Sequence, residues 1–465
     1  THCISSAASD VYKRQMMSYV GRINYGLMDR YLLTASLRYD GSSRLSEGNK
    51  WALFPSAAIA WRITEEDFAK NLDWLSNLKL RFSYGQAGNT NSVSPYASEG
   101  TISGSVYYPF GTSTSVGNLP ANIANPMLTW ERTSEYNVGL DFGFLNQRIS
   151  GNIEYYNRTT NDLLMKRNIP VHLGYSSVTS NVGSVRNSGF ELQLNTANIM
   201  TKNFAWNTTI NLAYNKNEIV SLADEEDLSN YSIHLQGMRG RYSDKRFIGK
   251  PVDTNWTQNT IGVWQLGEEE EAAKYGCVPG NFKIKDYNND GKLTDDDYII
   301  DGKRTPDWTG GMTNMFKIYD FDFSFHMYFQ AGATQYDRFF ENFALEWNSQ
   351  NFNNLRTNYW TPENPSNTMG RPSQMGSRGN IAYEKTDFLK VSYITLGYTL
   401  NKRLMSKWGL DNARIYVTVQ NPFILTKFRG LDPEQPDLTN IGDTDGMTTV
   451  SYTHLRAHET DSYLV

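Results

Sequence analysis

Hydrophobic and polar residues alternate with a period of two along much of this 465-residue chain. In residues 321–330, FDFSFHMYFQ, every second position is Phe or Met, and Asp, Ser, His, Tyr and Gln fill the positions between them. Residues 135–144, EYNVGLDFGF, and 392–400, SYITLGYTL, follow the same rule. Successive side chains of a β-strand point to opposite faces, so the pattern predicts strands with one apolar and one polar face.

The alternation predicts twelve strands, bounded by turn residues. The predicted strands are 17–27, 31–41, 51–63, 78–88, 130–144, 148–162, 186–199, 204–217, 307–318, 321–332, 384–400 and 413–425. The short connections are 28–30, 145–147, 201–203 and 319–320. The long connections are 89–129, 167–185, 218–306 and 333–382. Two further connections, 64–77 and 401–412, are predicted to be partly helical.

This arrangement is typical of a membrane barrel. Short turns on one rim and long loops on the other are the pattern of outer-membrane proteins, although alternation alone also suits a soluble sheet. Unpaired strand edges are not tolerated in lipid, so twelve such strands would form part of a larger closed barrel. We therefore expect an all-β fold: an antiparallel transmembrane β-barrel, of which this chain supplies about twelve strands.

The composition agrees with a barrel and argues against nucleic acid as a partner. Mean hydropathy is −0.55 and aromatic residues make up 13% of the chain. No apolar run approaches the ~18 residues that a transmembrane helix needs. The net charge is −5 with both signs mixed, so no basic stripe is offered to nucleic acid. The two cysteines, Cys3 and Cys277, indicate nothing about the compartment.

The two ends differ in style from the rest. Residues 1–15 and 451–465 resemble translations of sequencing-adapter DNA, so we interpret them as non-native tails around a native 16–450. His454 and His458 stand four apart, as helical metal ligands do, but they lie in the second tail. No metal site is assigned to them.

Residues 286–297, DYNNDGKLTDDD, have the spacing of a helix-loop-helix calcium loop. The sequence leaves two interpretations open: a structural calcium ion, or an Asx-rich turn without metal. No cofactor is required under either interpretation. The predicted oxygen ligands are Asp286, Asn288, Asp290, the carbonyl of Lys292, a water on Thr294, and Asp297.

Other candidates are less specific. Asp322 and His326 share the polar face of one strand, which suggests acid–base chemistry but is also expected of any barrel lumen. Trp residues in the long loops suit either stacking on sugar rings or packing of the loops; they are Trp256, Trp264, Trp347 and Trp360. No set of nucleophile, base and orienting group stands out, so we predict that the protein is not an enzyme.

Several blocks resemble the SusC/RagA family of TonB-linked outer-membrane transporters of Bacteroidota. They are KWALFPSAAIAWRI at 50–63, NLKLRFSYGQAGN at 77–89, residues 125–164, NVGSVRNSGFELQLNT at 181–196, residues 388–400 and residues 413–434. The resemblance covers the chain between the two tails. It implies a 22-stranded barrel with a plugged lumen, of which these would be the tenth to twenty-first strands. The plug, the early strands and the closing strand would then lie outside the chain.

The resemblance also implies a function. We expect TonB-dependent import of oligosaccharides, or of peptides, with a SusD-like surface lipoprotein as lid and TonB acting through the plug. Outer-membrane lipid would surround the barrel, and no residue specifies the substrate. Family members often carry a similar calcium-loop segment here, which favours the structural ion. The alternative is a calcium-stiffened extracellular β protein that binds glycans, with its apolar faces buried against a second sheet.

Overall fold

Twelve antiparallel strands form one continuous sheet, and each strand pairs with the strands that precede and follow it among the twelve. The computed structural model describes residues 15–169, 172, 174–175, 177–222, 229–230, 239–241, 246–341, 344, 357–372, 377–401, 405, 409, 413–430 and 432–434. The strands are β1 (Met16–Leu27), β2 (Tyr31–Ser42), β3 (Trp51–Arg62), β4 (Leu75–Asn89), β5 (Glu131–Phe144), β6 (Ile149–Asn161), β7 (Ser184–Met200), β8 (Phe204–Ser221), β9 (Trp308–Ile318), β10 (Phe321–Ala331), β11 (Phe388–Thr399) and β12 (Arg414–Thr426).

The predicted strands are confirmed, and most differences lie at their ends. β8 runs on to Ser221, and β11 begins at Phe388 instead of 384. The segment 64–77 is less helical than expected: a 3-10 turn, Ile63–Glu65, leads into further turns, and β4 begins at Leu75. The segment 401–412 lies mostly outside the described residues.

The short connections turn sharply at one rim of the sheet. Met28 and Asp29 join β1 to β2 with φ angles of 55° and 56°. Left-handed backbone at both central positions of the turn from Leu27 to Arg30 matches the right-handed twist of the flanking strands. Leu145 and Asn146 take the same conformation between β5 and β6, with φ angles of 53° and 57°.

One face of the sheet is apolar and uncovered. Val138 on β5 pairs with Phe82 on β4 and with Tyr155 on β6, and all three side chains lie on this face. Their exposed fractions are 43%, 47% and 53%. The glycan-binding alternative requires a second sheet over this face. Among the described residues the face stays open, as a lipid-facing surface requires.

The opposite face is polar and rich in amides and hydroxyls. In a barrel whose apolar face meets lipid, this face lines the interior, so we call it the lumen wall. Gly139 leaves room for the Arg81 side chain to cross the lumen wall, because a Cβ on Gly139 would lie 3.0 Å from the guanidinium carbon of Arg81. The wall includes Ser56, Ser83, Asn137, Asn152, Gln193, Asn211, Asn215, Thr309 and Thr313.

The long connections pack into two groups at the other rim. The first, which we call the loop base, comes from residues 43–50, 90–130 and 162–183. Its hydrophobic core is Leu45, Ala52, Phe54, Val93, Leu128 and Trp130. Gly88 makes room for this core, because a Cβ there would lie 2.1 Å from the Phe54 ring. Two hairpins rise from it: Ile102–Phe110 with Ser113–Pro120, and Leu164–Asn168 with Ser177–Asn181.

The second group, the loop unit, joins residues 246–307 to 332–387. Its core is Val263, Phe282, Phe340, Ala344, Trp360, Met369 and Ala382. Its strands pair as Thr254–Gln258 with Tyr298–Lys303, Thr260–Val263 with Phe282–Ile284, and Thr334–Tyr336 with Tyr383–Lys385. Its helices are α1 (Glu269–Lys274), α2 (Arg338–Phe340) and a 3-10 turn, Asp295–Asp297. Three short strands, Ser229–Asn230, Arg239–Arg241 and Arg246–Phe247, form a further sheet.

Three of the four loop tryptophans are buried: Trp360 lies in the core of the loop unit, and Trp256 and Trp264 lie in two smaller clusters, with Phe247 and with Ala272 and Cys277. Trp256, Trp264 and Trp360 are at most 5% exposed, and therefore they pack the loops and do not offer faces to a sugar. Trp347 lies outside the described residues. No helix in the described part of the chain is long and apolar enough to span a membrane.

An introduced lysine should cost more free energy of folding on the apolar face than on the lumen wall. Ile153→Lys places a charge on the apolar face, which should cost about 2–4 kcal/mol in a bilayer. Gln193→Lys, on the lumen wall beside Asn152, should cost less than about 1 kcal/mol. Urea titration of the full-length receptor that carries this chain, folded into lipid vesicles, measures both values, and equal costs would contradict the assignment of the faces.

Candidate functional site: the lumen wall and the outer loops

Four charged side chains form a network on the lumen wall, near the rim of short turns. The Arg81 guanidinium donates to Asp141 Oδ1 and to Glu154 Oε1, each at 2.7 Å. Lys79 Nζ lies 2.7 Å from Asp141 Oδ2. The Asn137 side chain donates to Glu154 at 3.1 Å. Two cations and two anions compensate each other, so this patch is rigid and close to neutral.

Two recesses open in the lumen wall beside this network. Glu191 on β7 lies directly opposite Glu154 on β6 and is exposed toward the lumen. It borders a recess of about 390 Å³. A second recess, of about 680 Å³, is lined by hydroxyls of β2–β6 and also by Arg22, Glu135 and Arg158. The smaller recess is lined among others by Asn152, Gln193, Asn211, Thr309, His326 and Tyr328. Amides and hydroxyls can both donate and accept hydrogen bonds, as neutral polar ligands require.

The predicted acid–base pair on β10 is not brought together. His326 Nδ1 lies 2.8 Å from the Thr313 hydroxyl, and its ring stacks on Tyr393 at 5.6 Å. Asp322 instead forms an ion pair with Arg414 at the turn-side rim. Both residues therefore have structural partners of their own.

The calcium-loop motif forms a tight turn in the loop unit, and Asp286 is at its centre. Its carboxylate accepts the backbone N–H groups of Asn289 and Gly291 at 2.6 and 2.9 Å, and the Tyr275 hydroxyl at 3.1 Å. Burial opposes ionisation, but these donors outweigh it and hold the pKa of Asp286 below its ordinary value. Gly291, with φ of 79°, supplies the left-handed backbone that the turn requires.

Asp297 closes the loop from its other end. It is fully buried, and its two oxygens accept the N–H groups of Tyr287 and Thr294, both at 2.8 Å. Thr294 in turn caps the 3-10 turn. One carboxylate therefore joins both ends of the twelve-residue segment.

The remaining predicted ligands are more exposed. Asn288 Nδ2 donates to Asp290 Oδ2 at 3.0 Å, and Asp290 Oδ1 accepts the N–H of Lys292 at 2.8 Å. No three His, Cys, Asp or Glu side chains among the described residues form a group that could hold a metal ion. A carboxylate has about four lone-pair positions, so oxygens that accept one N–H keep capacity for a cation. The calcium site stays a prediction.

Sequence reasoning did not find the lumen-wall network or the first hairpin of the loop base. Lys79, Arg81, Asp141 and Glu154 all fall on polar positions of their strands, but only the register shows that they meet. The hairpin lies within the predicted loop 89–129, where Ser and Gly obscure the alternation. Its one regular signal is the YYPF run at 107–110.

Comparison with known proteins identifies this architecture. The family model described as "TonB dependent receptor-like, beta-barrel" matches residues 5–309. The chain belongs to the TonB-dependent receptor family. It is therefore part of an outer-membrane β-barrel, with the apolar face toward lipid and the lumen wall inside. The outer loops are then on the extracellular side.

The relatives place the chain near the SusC group. It is 35% identical to TonB-dependent receptor SusC of Bacteroides thetaiotaomicron, over 91% of this chain and 42% of that protein. It is 34% identical to TonB-dependent receptor P26 of Formosa agariphila, over 92% of this chain and 43% of that protein. The chain thus spans under half the length of these relatives, which are named as receptors and not as enzymes.

Solved structures agree on the fold. The chain superposes on the RagAB peptide transporter with a TM-score of 0.74 at 25% identity, over 90% of this chain and 45% of that one. The 'open-open' state of the RagAB peptide importer gives a TM-score of 0.75 over 44% of its chain. The suspected resemblance to the SusC/RagA family is confirmed.

Asp297 should control the order of its loop. Asp297→Ala leaves the N–H groups of Tyr287 and Thr294 without an acceptor, and we expect the local opening free energy to fall by about 3 kcal/mol. Hydrogen exchange of these two amides, in EGTA so that no metal contributes, measures the change. Asp295→Ala on the same turn is exposed and should change it by less than about 0.5 kcal/mol. Equal effects would show that the turn does not depend on Asp297.

Proposed function

We propose that this chain forms part of a TonB-dependent importer that takes up oligosaccharides or, as a second class, peptides. The observation that carries the proposal is the lumen wall itself. A sheet with one lipid-facing face encloses, on its other face, a polar surface of amides and hydroxyls with a compensated charge network. Such a surface suits neutral, hydrogen-bonding cargo better than strongly charged cargo.

The proposal includes two protein partners. A SusD-like lipoprotein would cover the extracellular loops, and TonB would act on a plug that fills the lumen. The SusC relative and the RagAB structures support a two-component importer. The oligosaccharide class follows from the SusC likeness, and the peptide class follows from the printed description of RagAB.

Uptake by a full-length receptor that carries this chain tests the proposal. Cells are given a labelled neutral oligosaccharide pool or a labelled peptide pool. Uptake of one pool should require the receptor and be lost in strains without TonB or without the lipoprotein. Uptake that persists in both deletion strains would contradict the proposal.

A pair of adjacent substitutions ties that uptake to the lumen wall. Asn211→Trp projects a bulky ring into the smaller recess, and it should reduce uptake about tenfold because the ring occupies the cargo's path. Ile210→Trp, the matched control, places the same ring on the lipid face of β8 and should leave uptake near normal. Similar amounts of each receptor in the outer membrane are confirmed first. Equal uptake by the two variants would mean that this wall does not line the path.

We further propose that residues 286–297 bind a structural calcium ion. The motif spacing supports it, and so do the remaining lone pairs of Asp286, Asn288 and Asp290. The ion would use these oxygens with the Lys292 carbonyl, a water on Thr294, and Asp297. It would add rigidity to a loop that the hydrogen bonds of Asp286 and Asp297 already order.

Calcium should slow hydrogen exchange in residues 282–303, with half-saturation at about 10⁻⁴–10⁻³ M, as for extracellular modules. Asp290→Ala should remove the calcium response and leave exchange of the Tyr287 and Thr294 amides in EGTA unchanged, because Asp297, and not Asp290, accepts those two N–H groups. Asp295→Ala is the matched control and should keep the response. No response in the unmodified protein at about 10 mM calcium, well above that range, would exclude the site.

A further inference from the structure

The segment that follows β12 is fastened to the loop unit. The Phe428 side chain is buried, and the backbone N–H of Arg429 donates to Glu384 Oε2 at 3.0 Å. The Arg429 guanidinium forms an ion pair with Glu384, and its central carbon lies 4.2 Å from the centre of the Phe340 ring. We call residues 428–430 the clasp. They tie the end of one membrane strand to a unit that is built from two other connections.

A carboxylic acid lies sealed beneath the clasp. Asp337, at the start of α2, is 1% exposed, and its Oδ1 accepts the Phe340 N–H at 2.9 Å. Its other oxygen, Oδ2, is buried without a hydrogen-bond partner among the described residues. Gly430 covers this oxygen closely, because a Cβ on Gly430 would lie 2.8 Å from Oδ2 and 2.3 Å from the Phe428 ring. The burial of Oδ2 is complete within this chain, so it does not depend on any further part of the receptor.

The charged groups that face Asp337 come from two elements. Glu384 lies on a strand of the loop unit, and Arg429 belongs to the clasp. Arg429 is already paired with Glu384, so it compensates a negative charge on Asp337 only in part. On the α2 side, Glu341 pairs with Arg378 at 3.8 Å. A negative charge on Asp337 would therefore be buried with little compensation, which is costly.

An ionised Asp337 and a closed clasp oppose each other. Burial raises the pKa of Asp337 above its ordinary value and Glu384 adds to the rise, whereas the Phe340 N–H and Arg429 lower the pKa by less. The closed clasp thus holds a proton that an exposed carboxylic acid would release. By linkage, the closed state is most stable below the ordinary pKa of the acid. It loses stability as the pH rises toward the raised pKa of the closed state.

We propose that Asp337 and residues 428–430 form a pH-sensitive clasp between the loop unit and the end of β12. A protonated Asp337 lets the clasp close over a neutral acid. When the proton passes to water, the remaining negative charge favours the open state, in which water reaches the carboxylate. The loop unit then loses its tie to β12. Because these loops are on the extracellular side, the pH of the external medium sets the balance.

Hydrogen exchange of the Arg429 amide in the full-length receptor tests the clasp, because this N–H donates to Glu384 in the closed state. Its protection factor is measured from about pH 4 to about pH 8 in the unmodified protein and in Asp337→Asn. Asn keeps the acceptor for the Phe340 N–H but cannot ionise. We expect the ratio of the two protection factors, unmodified to variant, to fall by up to about tenfold per pH unit as the pH rises. Ionisation of Glu384 affects both proteins and cancels in the ratio.

Asp387→Asn is the matched control. Asp387 also accepts a backbone N–H, from Gly332 at 2.7 Å, but it is partly exposed and does not lie beneath the clasp. This variant should keep the pH profile of the unmodified protein. A changed profile would assign the pH response to the loop unit as a whole and overturn the proposal. A ratio for Asp337→Asn that stays constant across the pH range would also overturn it.

Gly430→Ala gives a second measurement. Its Cβ would meet Asp337 Oδ2 and the Phe428 ring, so the clasp should open at every pH and the protection of Arg429 should lose its pH dependence. Retention of the unmodified profile in this variant would contradict the proposal. Heat-modifiable mobility confirms that each barrel is folded, and if Asp337→Asn fails this check, the profile of Gly430→Ala decides alone.

Discussion

The structure depends on one constraint: in hydrocarbon, each backbone N–H and C=O must find a partner within the protein. An antiparallel sheet meets it without interruption, and this explains why the twelve strands pair in chain order with no crossover. It also fixes the register. A slip of one residue would turn Val138 and Phe82 inward and expose Arg81 and Asp141 to lipid, so the apolar and charged positions enforce the same alignment. The ion network on the lumen wall is thus a consequence of the same alternation that makes the outer face apolar.

Outside the membrane the constraint disappears, and water can satisfy the backbone. The long connections accordingly abandon the period of two and build small cores instead. Trp360 packs with Phe282 and Val263, which come from a different connection, and its indole N–H donates to Gln265 Oε1 at 3.0 Å. Two connections thereby become one unit that neither could form alone. This gives the outer surface enough rigidity to position loops over a pore.

This difference between the membrane-spanning sheet and the loops explains which features the sequence could predict. The strands follow from alternation, because a strand with one lipid-facing and one lumen-facing side must alternate apolar and polar residues, as the centre of β10 does. The Asp286 turn was readable as well, since Asp, Asn and Gly at fixed spacing act locally. The Arg81–Asp141–Glu154 contacts were not, because they join three strands and need the register. The hairpin at 102–120 was missed because neither lipid nor a local core constrains it, so the alternation of apolar and polar residues in it is weak.

One buried acid in the loop base is held by neutral hydrogen-bond donors instead of by a cation. Glu131, at the start of β5, is 7% exposed, and its oxygens accept the Asn89 amide at 2.7 Å and the Leu164 N–H at 2.9 Å. On the wall, by contrast, carboxylates meet cations. Hydrogen bonds to backbone and amide groups fix position as well as an ion pair does, but they are directional and are not weakened by salt in the surrounding water. The loop base stands in a medium of variable salt content, and a carboxylate held by N–H groups keeps its geometry there. The contacts of Glu131 with Asn89 and Leu164 therefore do not depend on the ionic strength outside the cell.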